Sequence, residues 1–356
     1  MQLDDVRDLK QQLLSSMTAA VIASPASSIL AAPTRVARSF GALRERPKAA
    51  SHAMSAIALG AVFKSKKNSK LAIRLQRRSA DVRAVVDQIC FLAKNEVDVR
   101  YVGRIAAQAK KGTAADQSKF AFYRRRRRPL RIGSSVSDVS LDFVSAGTLG
   151  CFVRGRTDGS IRILSNNHVL AGENATTVGS PIVQPGTLDD GEVPTDQIAT
   201  LAKFVRLKKS RTNLIDAATA TLATGITFDS RTIGTLGEVA GHSDTRNLFE
   251  GSTVHKVGRT TGQTEGRITA IEIDNVSVEY DLGWLRFDNQ IEIEGAGNRA
   301  FSDSGDSGSL IVDEELNAIG LLFAGGDSGG ANDKGLTYAN PIESVLNTLK
   351  IDLLLD

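Results

Sequence analysis

The sequence predicts a mainly β protein with a small α+β unit in its N-terminal third. From about Val136 onward the chain is glycine-rich and breaks into short β-like runs: 150–154, 161–164, 217–222, 266–273, 276–282, 290–293, 310–312 and 319–323. Short strands separated by turn signals are the pattern of a β-barrel or sandwich. Only Pro341 to Leu349 reads as a helix in that part, with Pro341 at its first turn. Upstream the period changes. Ala56–Phe63 and Leu71–Leu75 read as two strands across a polar turn. Val82, Val85, Val86, Ile89, Leu92 and Ala93 then recur at helical spacing after Ser79, a plausible N-cap, and Val97, Val99 and Tyr101 alternate with charged residues. This is a ββαβ order.

Three segments follow: a helical or partly disordered one over 1–50, interrupted by Pro25, Pro33 and Pro47; a basic α+β unit over 52–128; and a β-rich domain over 135–350. With 356 residues, 41% hydrophobic and 24% charged, the chain can bury a large core. Its most apolar early stretch, 19–32, holds Pro25 and several serines. It fits neither a signal peptide nor a membrane span, so a soluble protein without a membrane span is expected. Cys90 and Cys151 are far apart in apolar settings, which argues against a disulfide framework and for a reducing, cytoplasmic location.

The net charge of +4 hides an asymmetry. Residues 1–134 carry 27 Lys/Arg against 9 Asp/Glu, a net of +18, and residues 135–356 carry 17 against 31, a net of −14. An acidic partner for the basic half therefore exists in the same chain, and intramolecular docking is the simplest explanation. The run Arg124–Arg128 admits a second reading, nucleic-acid or anionic-surface binding, but it lacks the interleaved aromatics of a single-strand platform. Homo-oligomerisation is left open.

The candidate chemistry centres on Gly305-Asp306-Ser307-Gly308-Ser309-Leu310. A nucleophilic serine needs a tight bend that exposes its hydroxyl, and free backbone N–H groups to hold an oxyanion. The same residues also make ordinary surface turns, so other segments must decide. Of four histidines, His168 stands at the end of a strand-like run, in Ser165-Asn166-Asn167-His168, where it can be aimed across a cleft. Asp216 lies within an apolar run, Leu214-Ile215-Asp216-Ala217-Ala218, where a buried carboxylate needs a partner such as an imidazole N–H. The order His, Asp, Ser, with gaps of 48 and 91 residues, is close to that of chymotrypsin-type triads and unlike the orders of subtilisins and α/β-hydrolases.

With these segments in hand, residues 135–350 resemble a trypsin-like serine peptidase, similar to bacterial streptogrisin-like and plant narrow-leaf-type proteases. Lys256-Val257-Gly258-Arg259-Thr260-Thr261-Gly262 also resembles the Gly-x-Thr-Thr-Gly segment that opens the second barrel in the streptogrisin group. The resemblance implies two six-stranded antiparallel β-barrels of the chymotrypsin type. His168 and Asp216 would come from the first and Ser307 from the second. It implies peptide hydrolysis through an acyl-enzyme without metal or cofactor, with an oxyanion hole at the amides of Gly305 and Ser307. It places the primary pocket at Phe301, Ser302, Asp303 and Ser304 on one side and Phe323, Ala324 and Gly325 on the other. Phe301 at the pocket floor speaks for a small or medium apolar side chain in the protein or peptide substrate rather than Arg or Lys. It also raises cleavage before Ile132 as an activation step, through a new amine beside Asp306. The competing reading is a catalytically silent scaffold that uses its basic N-terminal region.

Overall fold

The computed structural model describes residues 1–22, 55–65, 67–107, 110–111, 121–139 and 144–356. The expected disorder after residue 22, and Phe120, lie outside them. Helix α1 (Leu3–Ile22) buries Val6 and Leu13. Strands β1 (Ile57–Ser65) and β2 (Asn68–Leu75) form an antiparallel hairpin. Helix α2 (Ala80–Leu92) then crosses to β3 (Val97–Tyr101), which lies parallel to β2. Helix α2 buries Val82, Val85, Val86 and Ile89, the positions that its helical spacing singled out, and Ser79 stands at its N-cap without a capping side-chain bond. Two short strands follow, β4 (Ile105–Ala107) and β5 (Lys110–Lys111).

The first barrel is built from β6 (Ser135–Asp138), β7 (Ser145–Thr148), β8 (Cys151–Gly155), β9 (Ile161–Ser165), β10 (Pro181–Val183), β11 (Gln197–Phe204) and β12 (Ala218–Leu222). β7 and β8 are two halves of one bent strand, held at the bend where Leu149 N donates to Ser134 O and Gly150 N to Leu164 O. Counted so, six antiparallel strands close through the pairings β6–β7, β8–β9, β9–β12, β12–β11, β11–β10 and β10–β6.

The second barrel uses β13 (Thr253–Gly258), β14 (Gly262–Asp274), β17 (Gln290–Gly295), β18 (Leu310–Val312), β19 (Asn317–Gly326) and β20 (Leu336–Pro341). It closes in the order β13–β14–β17–β20–β19–β18–β13. The hairpin β15 (Val276–Tyr280) and β16 (Gly283–Phe287) stands outside that ring. Helix α3 (Ile342–Leu349) follows β20 at once. The fold is thus mainly β with two six-stranded barrels of the chymotrypsin type, as expected.

The ββαβ unit adds its sheet to the second barrel. β1 pairs antiparallel with β14, Leu59 opposite Asp274 and Ala61 opposite Ile271. Gly60 permits this approach, since a Cβ there would sit 2.7 Å from Ile273 Cγ1. One apolar cluster holds Val6, Ile57, Leu71 and Val85 together with Ile268, Ile293 and Phe301, so this unit and the barrel share a core. Charges cross the same boundary. Arg7 pairs with Glu272, Lys10 with Asp274 at 2.8 Å, Arg74 with Glu292 at 2.8 Å and Arg100 with Glu294 at 3.3 Å, while Arg126 pairs with Asp196 of the first barrel at 2.9 Å. Within the arginine run, Arg127 N and Arg128 Nη1 both donate to Gln184 Oε1, so this stretch is laid against the first barrel. Both cysteines are unpaired, and burial pushes the Cys151 thiol up to about 12. No helix among the described residues is long and apolar enough to cross a membrane.

Candidate active site

His168 sits on a single helical turn, Asn167–Leu170, that begins where β9 ends. The two asparagines before it tie this turn to the Asp216 segment. Asn166 Nδ2 donates to Asp216 O at 2.7 Å, Asn167 N to Asp216 Oδ1 at 2.7 Å, and Asn167 Nδ2 to Val205 O at 2.7 Å. His168 Nδ1 lies 2.5 Å from Asp216 Oδ2. Because a carboxylate only accepts, Nδ1 carries the proton and Nε2 is left with its lone pair. That Nε2 is buried and has no hydrogen-bond partner, a costly state for a structural histidine.

Asp216 is wholly buried and receives further donors: His168 N at 3.3 Å on Oδ1, and the Tyr280 hydroxyl at 2.7 Å on Oδ2. The second barrel also grips its backbone, since Asp216 N donates to Asn340 Oδ1, and Asn340 Nδ2 to Gln290 Oε1. Tyr280 packs edge-on against the His168 ring, centroids 5.8 Å apart. Burial, and then the Asp216 charge, push its phenol well above its usual range, so it stays a donor. Tyr280, Asn340 and Gln290 were invisible to sequence reasoning. Each is a polar residue in a strand with no motif around it, and only the packing of the second barrel and its outlying hairpin brings Tyr280 and Asn340 to Asp216, with Gln290 behind Asn340.

Ser307 lies in the turn between two glycines at positive φ, Gly305 at 99° and Gly308 at 92°. A Cβ on Gly308 would sit 2.1 Å from Ser165 Oγ, and one on Gly305 2.4 Å from Thr260 Oγ1, so both positions demand glycine. The turn is pressed against the first barrel. Thr148 N donates to Ser307 O at 2.8 Å, and Ser165 Oγ, three residues before His168, donates to Thr148 O at 2.7 Å. Ser307 Oγ makes one long contact, 3.5 Å to Phe323 O, and no bond to His168. Catalytic hydrogen bonds are often unmade in unliganded sites and tighten with substrate.

The peptide planes of this turn are fixed by neighbouring threonines. Ser304 O accepts from Thr260 Oγ1 at 2.7 Å, and Gly305 O from Thr148 Oγ1 at 2.9 Å. In a trans peptide the N–H points opposite its carbonyl, so anchoring Ser304 O aims the Gly305 N–H away from Thr260. Among the described residues no hydrogen bond uses the amide of Gly305 or Ser307.

Asp306 is fully engaged. Its carboxylate accepts from Thr260 N at 2.8 Å, Thr261 N at 3.1 Å, Thr261 Oγ1 at 2.6 Å and Asp303 N at 3.1 Å, and Lys256 Nζ lies 3.1 Å away. Lys256 is as buried as Asp306. Burial lowers its pKa, opposed by the Asp306 charge. The segment Lys256–Gly262, singled out only as a motif, thus wraps the nucleophile turn. Arg259 reaches the other way, its Nε 2.7 Å from Asp189 Oδ2 in the first barrel. The cation that cleavage before Ile132 would supply to Asp306 is already present as Lys256, and Ile132 is packed in the first-barrel core.

The expected pocket residues are placed differently from one another. Phe301 is core, its ring against Gly266 and in one apolar cluster with Ile293. Ser302 Oγ bonds Thr337 Oγ1 at 2.6 Å, while Asp303 and Ser304 are exposed. Phe323 packs at a tilt against Phe287, centroids 4.7 Å apart, and is wholly buried. Ala324 and Gly325 are paired on both edges, to β20 and to β4. These seven residues therefore offer no apolar side chain to solvent, because β4 takes up the edge of β19 where the pocket wall was expected.

The fold and this geometry define a protein of serine protease-like architecture. A family model described as Nal1 C-terminal domain matches residues 203–356, which include Asp216 and Ser307 but not His168. Solved structures similar to the chain include Thermobifida fusca protease A at 16% identity and a TM-score of 0.44, covering 65% of this chain and all of that one. Others are a Cellulomonas bogoriensis chymotrypsin at 20% and 0.43, covering 65% and 100%, and a Nocardiopsis protease at 18% and 0.45, covering 64% and 99%. A search of curated proteins finds no match.

Proposed function

We propose that the protein is a serine endopeptidase with Ser307 as nucleophile, His168 as general base and Asp216 as the group that orients the imidazole. The carrying observation is the buried His168: its Nδ1 is committed to Asp216 at 2.5 Å and its Nε2 has no structural partner, in a fold whose glycine-flanked turn holds the equally buried Ser307 with its hydroxyl in one long contact only. His168 Nε2 takes the Ser307 proton as Oγ attacks a peptide carbonyl, and returns it to the leaving amine. The amides of Gly305 and Ser307 hold the oxyanion, where one donor is worth roughly 3 kcal/mol of barrier. Triad members act as a unit, so Ser307→Ala and His168→Ala are each expected to abolish hydrolysis to the same level, with Asp216→Asn retaining more. Covalent capture of a fluorophosphonate checks the nucleophile. Equal incorporation by wild type and Ser307→Ala, or none in either after prolonged incubation, sinks the reading.

A further inference from the structure

The chain turns left-handed directly after the His168 helical turn. Gly172, Glu173 and Asn174 stand in succession at φ of 50°, 58° and 74°, a region that residues with a Cβ avoid and that persists only where surrounding contacts hold it. Both non-glycine side chains are so held. Asn174 closes back on the His168 turn: its N donates to Asn167 Oδ1 at 3.1 Å, and its Oδ1 accepts from Asn167 Nδ2 at 2.9 Å and from Leu207 N at 2.9 Å. Glu173 bonds elsewhere. Buried, it crosses to the hairpin outside the second barrel, where its Oε1 accepts from Asp281 N at 3.1 Å and its Oε2 from Leu282 N at 2.8 Å. With Tyr280 opposite Gly283, Asp281 and Leu282 are the two-residue loop of that hairpin, and their amides lie beyond the last paired residues of β15 and β16. Tyr280, just before the loop, is the residue that bonds Asp216 and packs on His168. The body of the hairpin has its own support, since Val278, Leu285 and Phe287 lie in one apolar cluster with Phe323. Glu173 therefore holds the tip.

We propose that Glu173 is a positioning residue of this site: by fixing the 281–282 loop it seats the Tyr280 hydroxyl on Asp216 Oδ2, and through that bond it sets the carboxylate and the His168 imidazole. Its effect on hydrolysis rests on the peptidase reading, and its effect on His168 does not. Two amide donors converging on one side chain need two acceptor oxygens, which a carboxylate has. Glutamine has one, and its NH2 would meet an N–H donor. Glu173 also acts by charge. Burial, then the Asp216 charge and hydrogen bond, then the Glu173 charge raise the Tyr280 phenol, so both carboxylates keep it a donor. One segment thus carries the base at one end and, at the other, the group that aligns the partner of that base.

Full-length wild type, Glu173→Gln, Tyr280→Phe and the double variant test this by proton NMR of the His168 Nδ1–H, identified by its loss in His168→Ala, together with kcat and KM on a peptide. In each single variant the resonance is expected to move upfield and kcat to fall on the order of tenfold at little-changed KM, the worth of one hydrogen bond to a charged group. Because Glu173 acts through the Tyr280 hydroxyl, adding Glu173→Gln to Tyr280→Phe should change neither readout further. Equal losses from Glu173→Gln with and without that hydroxyl mark a general packing role and overturn the proposal. Glu173→Asp, which keeps two oxygens but falls a methylene short, is the second perturbation where Glu173→Gln fails to fold, and it must move the resonance the same way. The expected shifts in a chain that cuts no peptide and takes no fluorophosphonate remove the peptidase reading and leave the role of Glu173 standing. Hydrolysis with an unmoved resonance in the folded Glu173 variants does the reverse.

Discussion

At the scale of single residues the site is defined by what its buried polar atoms are bonded to. Tyr280 gives Asp216 a donor that no other hydroxyl supplies among the described hydrogen bonds. Tyr280→Phe removes that bond and little volume, so it should cost about 1–3 kcal/mol of stability and lower kcat more than it raises KM. Unchanged kcat in a folded variant would show that Asp216 is held without it. Lys256 and Asp306 are both fully buried, so Lys256→Met leaves an uncompensated charge and should cost about 3–5 kcal/mol, with Lys256→Met/Asp306→Asn recovering part of it in thermal denaturation. The pH dependence separates the two roles of the pair. The Lys256 pKa is lowered from 10.5, so on raising pH the ammonium is lost before that of an ordinary lysine, and the turn that carries Ser307 loses its counter-charge. Activity should therefore fall on the alkaline side below pH 10.5. The stability contribution has the opposite sign, rising over that window because the unfolded chain binds more protons there. Activity that stays flat through pH 10.5 would remove Lys256 from the machinery.

At the scale of elements, the basic N-terminal strands are joined to the acidic second barrel by ion pairs of unequal worth. Arg74 is wholly buried between Glu292 and Asp98, and Glu292 also accepts from Tyr338 and Thr269. Arg74→Met strands Glu292 in the core and should cost about 3–5 kcal/mol. Arg104, bonded to Glu279 with its side chain 70% exposed, should cost under about 1 kcal/mol on conversion to alanine. Denaturation in low and high salt checks the ranking: salt should weaken the Arg104 contribution and leave that of Arg74 nearly unchanged. A reversed order would mean that the shared apolar core alone holds β1 and β2 against β14.

At the scale of the molecule, the apolar cluster that spans α1, the ββαβ unit and the second barrel makes residues 55–107 part of that barrel's support. A chain beginning at Pro129 should expose Ile268, Ile271 and Ile293 and aggregate or bind a hydrophobic dye. A monodisperse, cooperatively melting 129–356 fragment would show that the barrels stand without it. Much of the fold was legible from local pattern. The strands around 57–63, 71–75, 266–273 and 310–312 announce themselves as apolar runs buried along most of their length, and the helices α2 and α3 by the period of the one face that each buries. Strands such as 105–107, 110–111, 145–148 and 197–204 did not, since they are short, small-residue or mixed in polarity and owe their extended form to a neighbour. The sequence by itself singled out the candidate triad, because His168, Asp216 and Ser307 lie in three segments that are each ambiguous alone but agree in order and spacing. Only the tertiary structure decided what holds them: Tyr280 and Asn340 on Asp216, Lys256 on Asp306, and β4 along the edge expected to wall a pocket. Those are contacts between residues far apart in the chain, chosen by how two closed barrels pack, and no local period or spacing encodes them.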